Sequence, residues 1–137
     1  MKYQLEITPK QLEIVKNSLD VYGRLQQGSI DLALDVAIGR RVGDAIVNDR
    51  LIHPLQPHSE VDVLKMALFP ELARNEHYGV GNKQVPEFGL SYTVYNALRY
   101  RQFLDSQNKE SLKDTVDSYP PMKYGSEPIP KITKVED

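Results

Sequence analysis

Residues 75–101 read NEHYGVGNKQVPEFGLSYTVYNALRYR. The change of character inside that stretch sets where the last helix of the chain begins. Residues 73–85 contain two glycines, two asparagines and no apolar periodicity, so they form a loop. Pro86 and Glu87 suit a helix start, and the spacing predicts a helix over 86–107. Phe88, Tyr92, Tyr95, Leu98 and Phe103 recur at helical intervals with some slippage. Gly89 inside that helix costs roughly 1 kcal/mol relative to alanine; close backbone packing would account for it.

The helical geometry separates the two arginines that end the stretch. Each residue turns roughly 100°, so Arg99 and Arg101 point about 200° apart. Arg99 follows Tyr95 by four residues and Tyr92 by seven, and it continues the tyrosine face. An arginine there is either a surface charge whose stem lies along the core or a bidentate phosphate ligand.

Upstream, Tyr3, Leu5 and Ile7 alternate in the manner of a strand over residues 3–8. Thr8, Pro9 and Gln11 then form a capping box with proline at the first helical position, predicting a helix to about Gln27. Leu12, Val15, Leu19 and Tyr22 form its apolar stripe, and Gly28 stops it. Ser29 caps a second helix with Ile30, Leu34, Ala37 and Ile38 on its buried side, turned sharply against the first. Gly39-Arg40-Arg41-Val42-Gly43 either ends that helix or extends it with a kink. Pro54 and Pro57 give a loop around His53 and His58. Ser59, Glu60 and Asp62 suit the start of a short helix that Pro70 stops.

Downstream, residues 114–137 carry four of the nine prolines. Residues 115–119 read as a short strand. Lys131-Ile132-Thr133-Lys134-Val135 alternates and pairs with residues 3–8, against the alternative of an extended tail. The expectation is therefore an α+β fold. It is a mostly helical single domain with a small antiparallel sheet formed by the N- and C-terminal segments. Residues 1–113 make the helical core with its N-terminal strand, and 114–137 an extended proline-rich segment of the same domain.

Composition narrows the function classes. A length of 137 residues fits one domain. No apolar run approaches the length that crosses a bilayer, and the first residues lack the pattern of a signal peptide. There is no cysteine, which excludes disulfides, thiolate zinc sites and a cysteine nucleophile. An intracellular setting is the natural expectation, because small secreted domains more often use disulfides. The net charge of −2, from 17 basic and 19 acidic residues, argues against general nucleic-acid binding.

The motifs are weaker than the helices. His53, His58 and His77 do not make a set of three or four converging ligands, so no metal and no cofactor is expected. Tyr78-Gly79-Val80-Gly81-Asn82-Lys83 lacks the frame of a Walker loop and the third glycine of a dinucleotide fingerprint. It reads either as a turn between helices or as a loop whose amides and asparagines meet a small ligand. No catalytic triad, nucleophile elbow or carboxylate pair is recognisable, so a binding protein is favoured over a small nucleotide-acting enzyme. Tyr78 or Tyr92 is placed to stack on a base, a contact that contributes on the order of 1–3 kcal/mol, although tyrosine at helical spacing is more often core.

Several segments together resemble a group of small bacteriophage proteins. They are Ile7–Leu25 (ITPKQLEIVKNSLDVYGRL), Leu68-Phe69-Pro70-Glu71-Leu72, Tyr78-Gly79-Val80 and Ser126–Ile132 (SEPIPKI). Among small phage proteins of this layout, the anti-Thoeris sponge family is the nearest in kind. Such sponges bind nucleotide signals of bacterial immunity, either cyclic ADP-ribose isomers of Thoeris or the cyclic oligonucleotides of CBASS. The resemblance implies anti-defence sequestration without hydrolysis, by a homo-oligomer in the cytoplasm of the infected host. In that reading Arg99 meets phosphate, Tyr78 stacks on the base, Asn75 and Asn82 hydrogen-bond to base or ribose, and Arg24 supplies a second cation. The alternative is a protein–protein inhibitor or regulator of a host factor.

Overall fold

The computed structural model describes residues 2–47, 57–106 and 119–135. These residues include four helices: α1 (Pro9–Gln26), α2 (Ile30–Val47), α3 (Pro57–Leu68) and α4 (Pro86–Asp105). Among the described residues no helix is long and apolar enough to cross a membrane.

Local chemistry explains the helix ends. Thr8 Oγ1 accepts the Gln11 N–H at 3.2 Å, and the Thr8 N–H reaches Gln11 Oε1 at 2.9 Å. This is the reciprocal box that satisfies two orphan donors. At the other end, the Ser29 N–H bonds the Arg24 carbonyl at 2.9 Å and the Gly28 N–H bonds the Leu25 carbonyl at 3.2 Å. Those two bonds make a Schellman motif. It requires a left-handed residue, and Gly28 sits at φ +86. A side chain there would also strike Leu72, whose Cδ1 lies 2.8 Å from an added Cβ. The helix α2 runs through Gly39, Arg40 and Arg41 to Val47, so that segment extends the helix. Pro57 opens α3, which places Ser59 and His58 inside its first turn rather than at its cap or beyond it. The loop expected around His53 lies outside the described residues.

The body is built on α4. Gly23 of α1 lies against α4, with Ser91 Oγ and the Phe88 ring 2.9 and 3.3 Å from where its Cβ would be. Near the start of α1, Lys16 Nζ donates to Gln102 Oε1 at 3.1 Å, and Gln102 Nε2 donates to Glu13 at 3.1 Å. The two helices are therefore antiparallel. Among the described residues the buried apolar side chains are Ile30, Ala33, Phe88, Ala97 and Leu98. A polar side chain, Thr93, is buried as deeply as Ala33, at 1% exposure.

The expected antiparallel sheet is absent. No strand occurs among the described residues, and the α+β assignment is corrected to all-α. Residues 2–8 run extended ahead of α1 without a ladder. The C-terminal segment goes to α4 instead of to residues 3–8. Thr93 Oγ1 donates to the Gly89 carbonyl at 2.8 Å and accepts the Tyr124 N–H at 3.1 Å. Pro121, Pro130 and Ile132 lie along Ala97, Tyr100, Arg101 and Leu104. Pro128 and Pro130 stand just ahead of residues 131–135 and cannot extend a ladder beyond them, while the Tyr124 N–H on Thr93 and the packing of Pro121, Pro130 and Ile132 along α4 hold the segment there as a strap instead. Most of the strand expected at 115–119 lies outside the described residues.

The buried face of α2 also differs from expectation. Ile30 is buried, but Leu34, Ala37 and Ile38 are exposed and Ala33 takes the inner position. Among the described side chains of α2, the buried ones are Ile30 and Ala33, close to the tight Gly28–Ser29 link.

Two glycines on the α1–α4–strap axis should behave oppositely. Gly23→Ala forces a methyl into Ser91 and Phe88 and should lower stability by about 1–3 kcal/mol. At Gly89 an added Cβ would meet Tyr124 Cβ at 3.4 Å, an ordinary contact. Gly89→Ala should then be neutral or stabilising by up to about 1 kcal/mol; urea unfolding of both variants checks the pair. Thr93→Val keeps the shape but orphans the Tyr124 N–H, at a cost of about 1–3 kcal/mol. Faster tryptic cleavage after Lys123 would report the loosened strap.

Candidate functional site

The rim of α4 between the α1 contact and the strap carries a row of rings ending in a cation. Phe88 and Tyr92 have centroids 5.8 Å apart, and Tyr92 and Tyr95 6.3 Å apart. Tyr124 of the strap meets Tyr92 at 5.6 Å. The Arg99 guanidinium carbon lies 5.0 Å from the Tyr95 ring centroid. Such a cation–π contact contributes roughly 0.5–2 kcal/mol, and it holds the guanidinium on the tyrosine face that the four-residue spacing predicts. Arg99, Tyr92 and Tyr95 are all half-buried. Arg101 points away and pairs with Asp105, Nε to Oδ2 at 2.8 Å.

The other expected ligand residues have structural employment. Tyr78 is half-buried; its N–H donates to the Gln27 carbonyl at 2.9 Å, its ring meets Phe69 edge-on at 6.5 Å, and its hydroxyl donates to Glu71. The Asn82 side chain accepts the Gln84 N–H at 2.8 Å, an Asx turn. Asn75 is exposed in a turn. The flanking carbonyls of Arg74 and Glu76 both accept from the buried Lys65 Nζ, the first at 2.8 Å. Arg24 is half-buried and pairs with Asp20 at 2.9 Å.

These residues fall into two groups. Tyr78 touches the last turn of α1 through Gln27, the same end that carries Arg24. Arg99 lies one turn from Gln102, which reaches Glu13 and Lys16. In the antiparallel pair that places Arg99 on the order of 15 Å along the axis from Tyr78, at 1.5 Å per residue. Arg99 and Tyr78 therefore do not converge on one small ligand within a single chain. Among the described residues no group of three histidines and carboxylates is placed to hold a metal ion.

Two features escape the sequence reading. Lys65 clamps the loop through two main-chain carbonyls, and nothing in its spacing signals a buried lysine. The second is a groove between α1 and α2 with a volume of about 540 Å³. Ile14, Val21, Tyr22 and Leu25 form one wall, and Val36 and Ala37 the other. Its signal was legible, since Ile14, Val21 and Leu25 make a second apolar stripe beside Leu12, Val15 and Leu19.

The hydroxyl of Tyr78 holds the Glu71 carboxyl below the usual carboxylate range, and that carboxylate pushes the Tyr78 hydroxyl above the usual tyrosine range. The lowered carboxyl makes its contribution fully above the unfolded carboxylate pKa and loses it as pH falls through the folded value. The raised phenol contributes fully below the unfolded tyrosine pKa and loses it as pH rises through the folded value. The latch is thus closed across the neutral range. In Tyr78→Phe the Glu71 carboxyl should rise toward its ordinary range, read by NMR titration of the glutamate side chains; an unchanged titration would contradict the latch.

No family model, curated protein or solved structure matches the chain.

Proposed function

We propose that the protein acts by binding and not by turnover, sequestering an anionic, ring-bearing ligand of the nucleotide class along the rim of α4. The observation that carries the reading is the Arg99 guanidinium over Tyr95 in line with Tyr92. Aromatic faces accept a base by stacking, and a guanidinium offers a planar fork of donors to phosphate. The phage resemblance adds the specific class, cyclic ADP-ribose isomers or cyclic oligonucleotides, held intact in the infected cell's cytoplasm as an anti-defence measure. Tyr78, Asn75, Asn82 and Arg24 stand apart from Arg99 in one chain, so the α4 row is the part of the site to test first.

The wild-type chain should give a thermal shift with a cyclic ADP-ribose isomer or a cyclic di- or trinucleotide, and chromatography should return the nucleotide unchanged. Arg99→Ala should weaken binding at least about tenfold, or 1.4 kcal/mol. No shift with any of these nucleotides counts against the reading, and a converted nucleotide indicates an enzyme.

A second reading is a protein–protein inhibitor or regulator of a host factor, favoured by the apolar α1–α2 groove. A stoichiometric protein partner captured equally by wild type and Arg99→Ala would support it.

A further inference from the structure

Tyr92 is the crowded ring of the α4 row. Centroid to centroid, Phe88 stands 5.8 Å from it, Tyr95 6.3 Å and Tyr124 5.6 Å. A base inserted between two rings needs about 3.5 Å on each side, so the rings must stand about 7 Å apart. None of the three spacings reaches that. A flat ligand therefore stacks on Tyr92 only after a neighbour has moved.

The three neighbours differ in what holds them. Phe88 is 7% exposed and seated against Gly23 of α1. Tyr95 is carried by α4 itself, one turn from Tyr92. Tyr124 belongs to the strap. No main-chain to main-chain hydrogen bond among the described residues ties the strap to the body. Its tie is the Thr93 hydroxyl, which accepts the Tyr124 N–H at 3.1 Å and stands 3.3 Å from the Tyr124 carbonyl oxygen. Further along α4, a gap of about 170 Å³ lies between Pro121, Pro130 and Ile132 on one side and Ala97, Tyr100 and Leu104 on the other. The strap is therefore not close-packed on the helix. Residues 125–129 are exposed throughout, and Gly125 sits at φ +94 with open space around it. The tie also opens cleanly. Thr93 keeps its 2.8 Å bond to the Gly89 carbonyl when the strap leaves, and the freed Tyr124 N–H passes into water, so no buried donor is stranded.

We propose that the strap is a self-blocking arm: closed, Tyr124 occupies the side of Tyr92 that a base would take, and release from Thr93, with Gly125 as the pivot, opens the row. The inference rests on the α4 rim being where a ring-bearing anion lands. It adds a selection rule to that rim. A base replaces the aromatic contact that Tyr124 gives up with one of the same kind, whereas an anion without a flat face, drawn to Arg99, has nothing to offer Tyr92 in exchange.

Calorimetric titration of the full chain with a cyclic ADP-ribose isomer and with a cyclic dinucleotide tests the arm, beside hydrogen exchange without nucleotide. An element held this lightly samples its open form on the order of 1–10% of the time, and the apparent affinity is the intrinsic one scaled by that fraction. Tyr124→Ala should therefore bind at least about tenfold more tightly than wild type. Tyr124→Phe keeps the ring and should match wild type. The Tyr124 amide should exchange by local opening, well ahead of the α4 amides around Ala97. Equal or weaker binding by Tyr124→Ala, or a Tyr124 amide that exchanges only with global unfolding, overturns the arm and leaves nucleotide capture on α4 standing. Absence of binding by wild type and both variants removes the proposed function and the arm together.

Discussion

The contact on which the rest depends is the close approach of α1 to α4 at Gly23. With Phe88 and Ser91 standing where a side chain of Gly23 would project, the side chains of α4 pack directly onto the backbone of α1. Everything else is placed relative to that pair. The Schellman turn at Gly28 launches α2 from the end of α1. Tyr78 anchors its loop on the Gln27 carbonyl at the same end. The strap crosses the far side of α4, pinned where Thr93 satisfies both the Gly89 carbonyl and the Tyr124 N–H. A threonine buried this deeply is tolerable because its hydroxyl both donates and accepts, leaving no unsatisfied polar atom.

This arrangement divides the molecule into a finished side and an unfinished one. Around α4, aromatic rings, the strap and paired charges enclose one another. Around α2, Leu32, Leu34, Val36 and Ile38 stay exposed among the equally exposed Asp31, Asp35 and Arg40, and the groove beside α1 is lined by no charged residue. The aromatic row that ends in Arg99 sits on the consolidated helix, and the apolar groove lies on the other pair.

What was legible in the sequence was local. The Thr8–Gln11 box, Pro86 and the stop at Gly28 are decided within a few residues, and each is realised. The Arg99–Tyr95 contact follows from four-residue spacing alone. The sheet was not legible, because alternation at Tyr3, Leu5 and Ile7 records a pattern but names no partner. The prolines at 128 and 130 were a partial clue, since they confine any ladder to the few residues that follow them. The inner face of α2 was misplaced because apolar residues fall on more than one side of that helix, Leu34 and Ile38 on one and Leu32 and Val36 on another, so periodicity could not choose between them. The employment of Tyr78 by Glu71 and Gln27, and the clamp by Lys65, arise from contacts between segments and leave no mark in spacing.

The functional claim is that a ligand lands on the rim of α4. An NMR titration of the full chain with a cyclic ADP-ribose isomer or a cyclic dinucleotide tests it most directly. The account requires the largest shifts at Tyr92, Tyr95 and Arg99, with the ligand recovered unchanged. Shifts confined to residues 75–84, or saturating binding that leaves α4 unmoved, would contradict it.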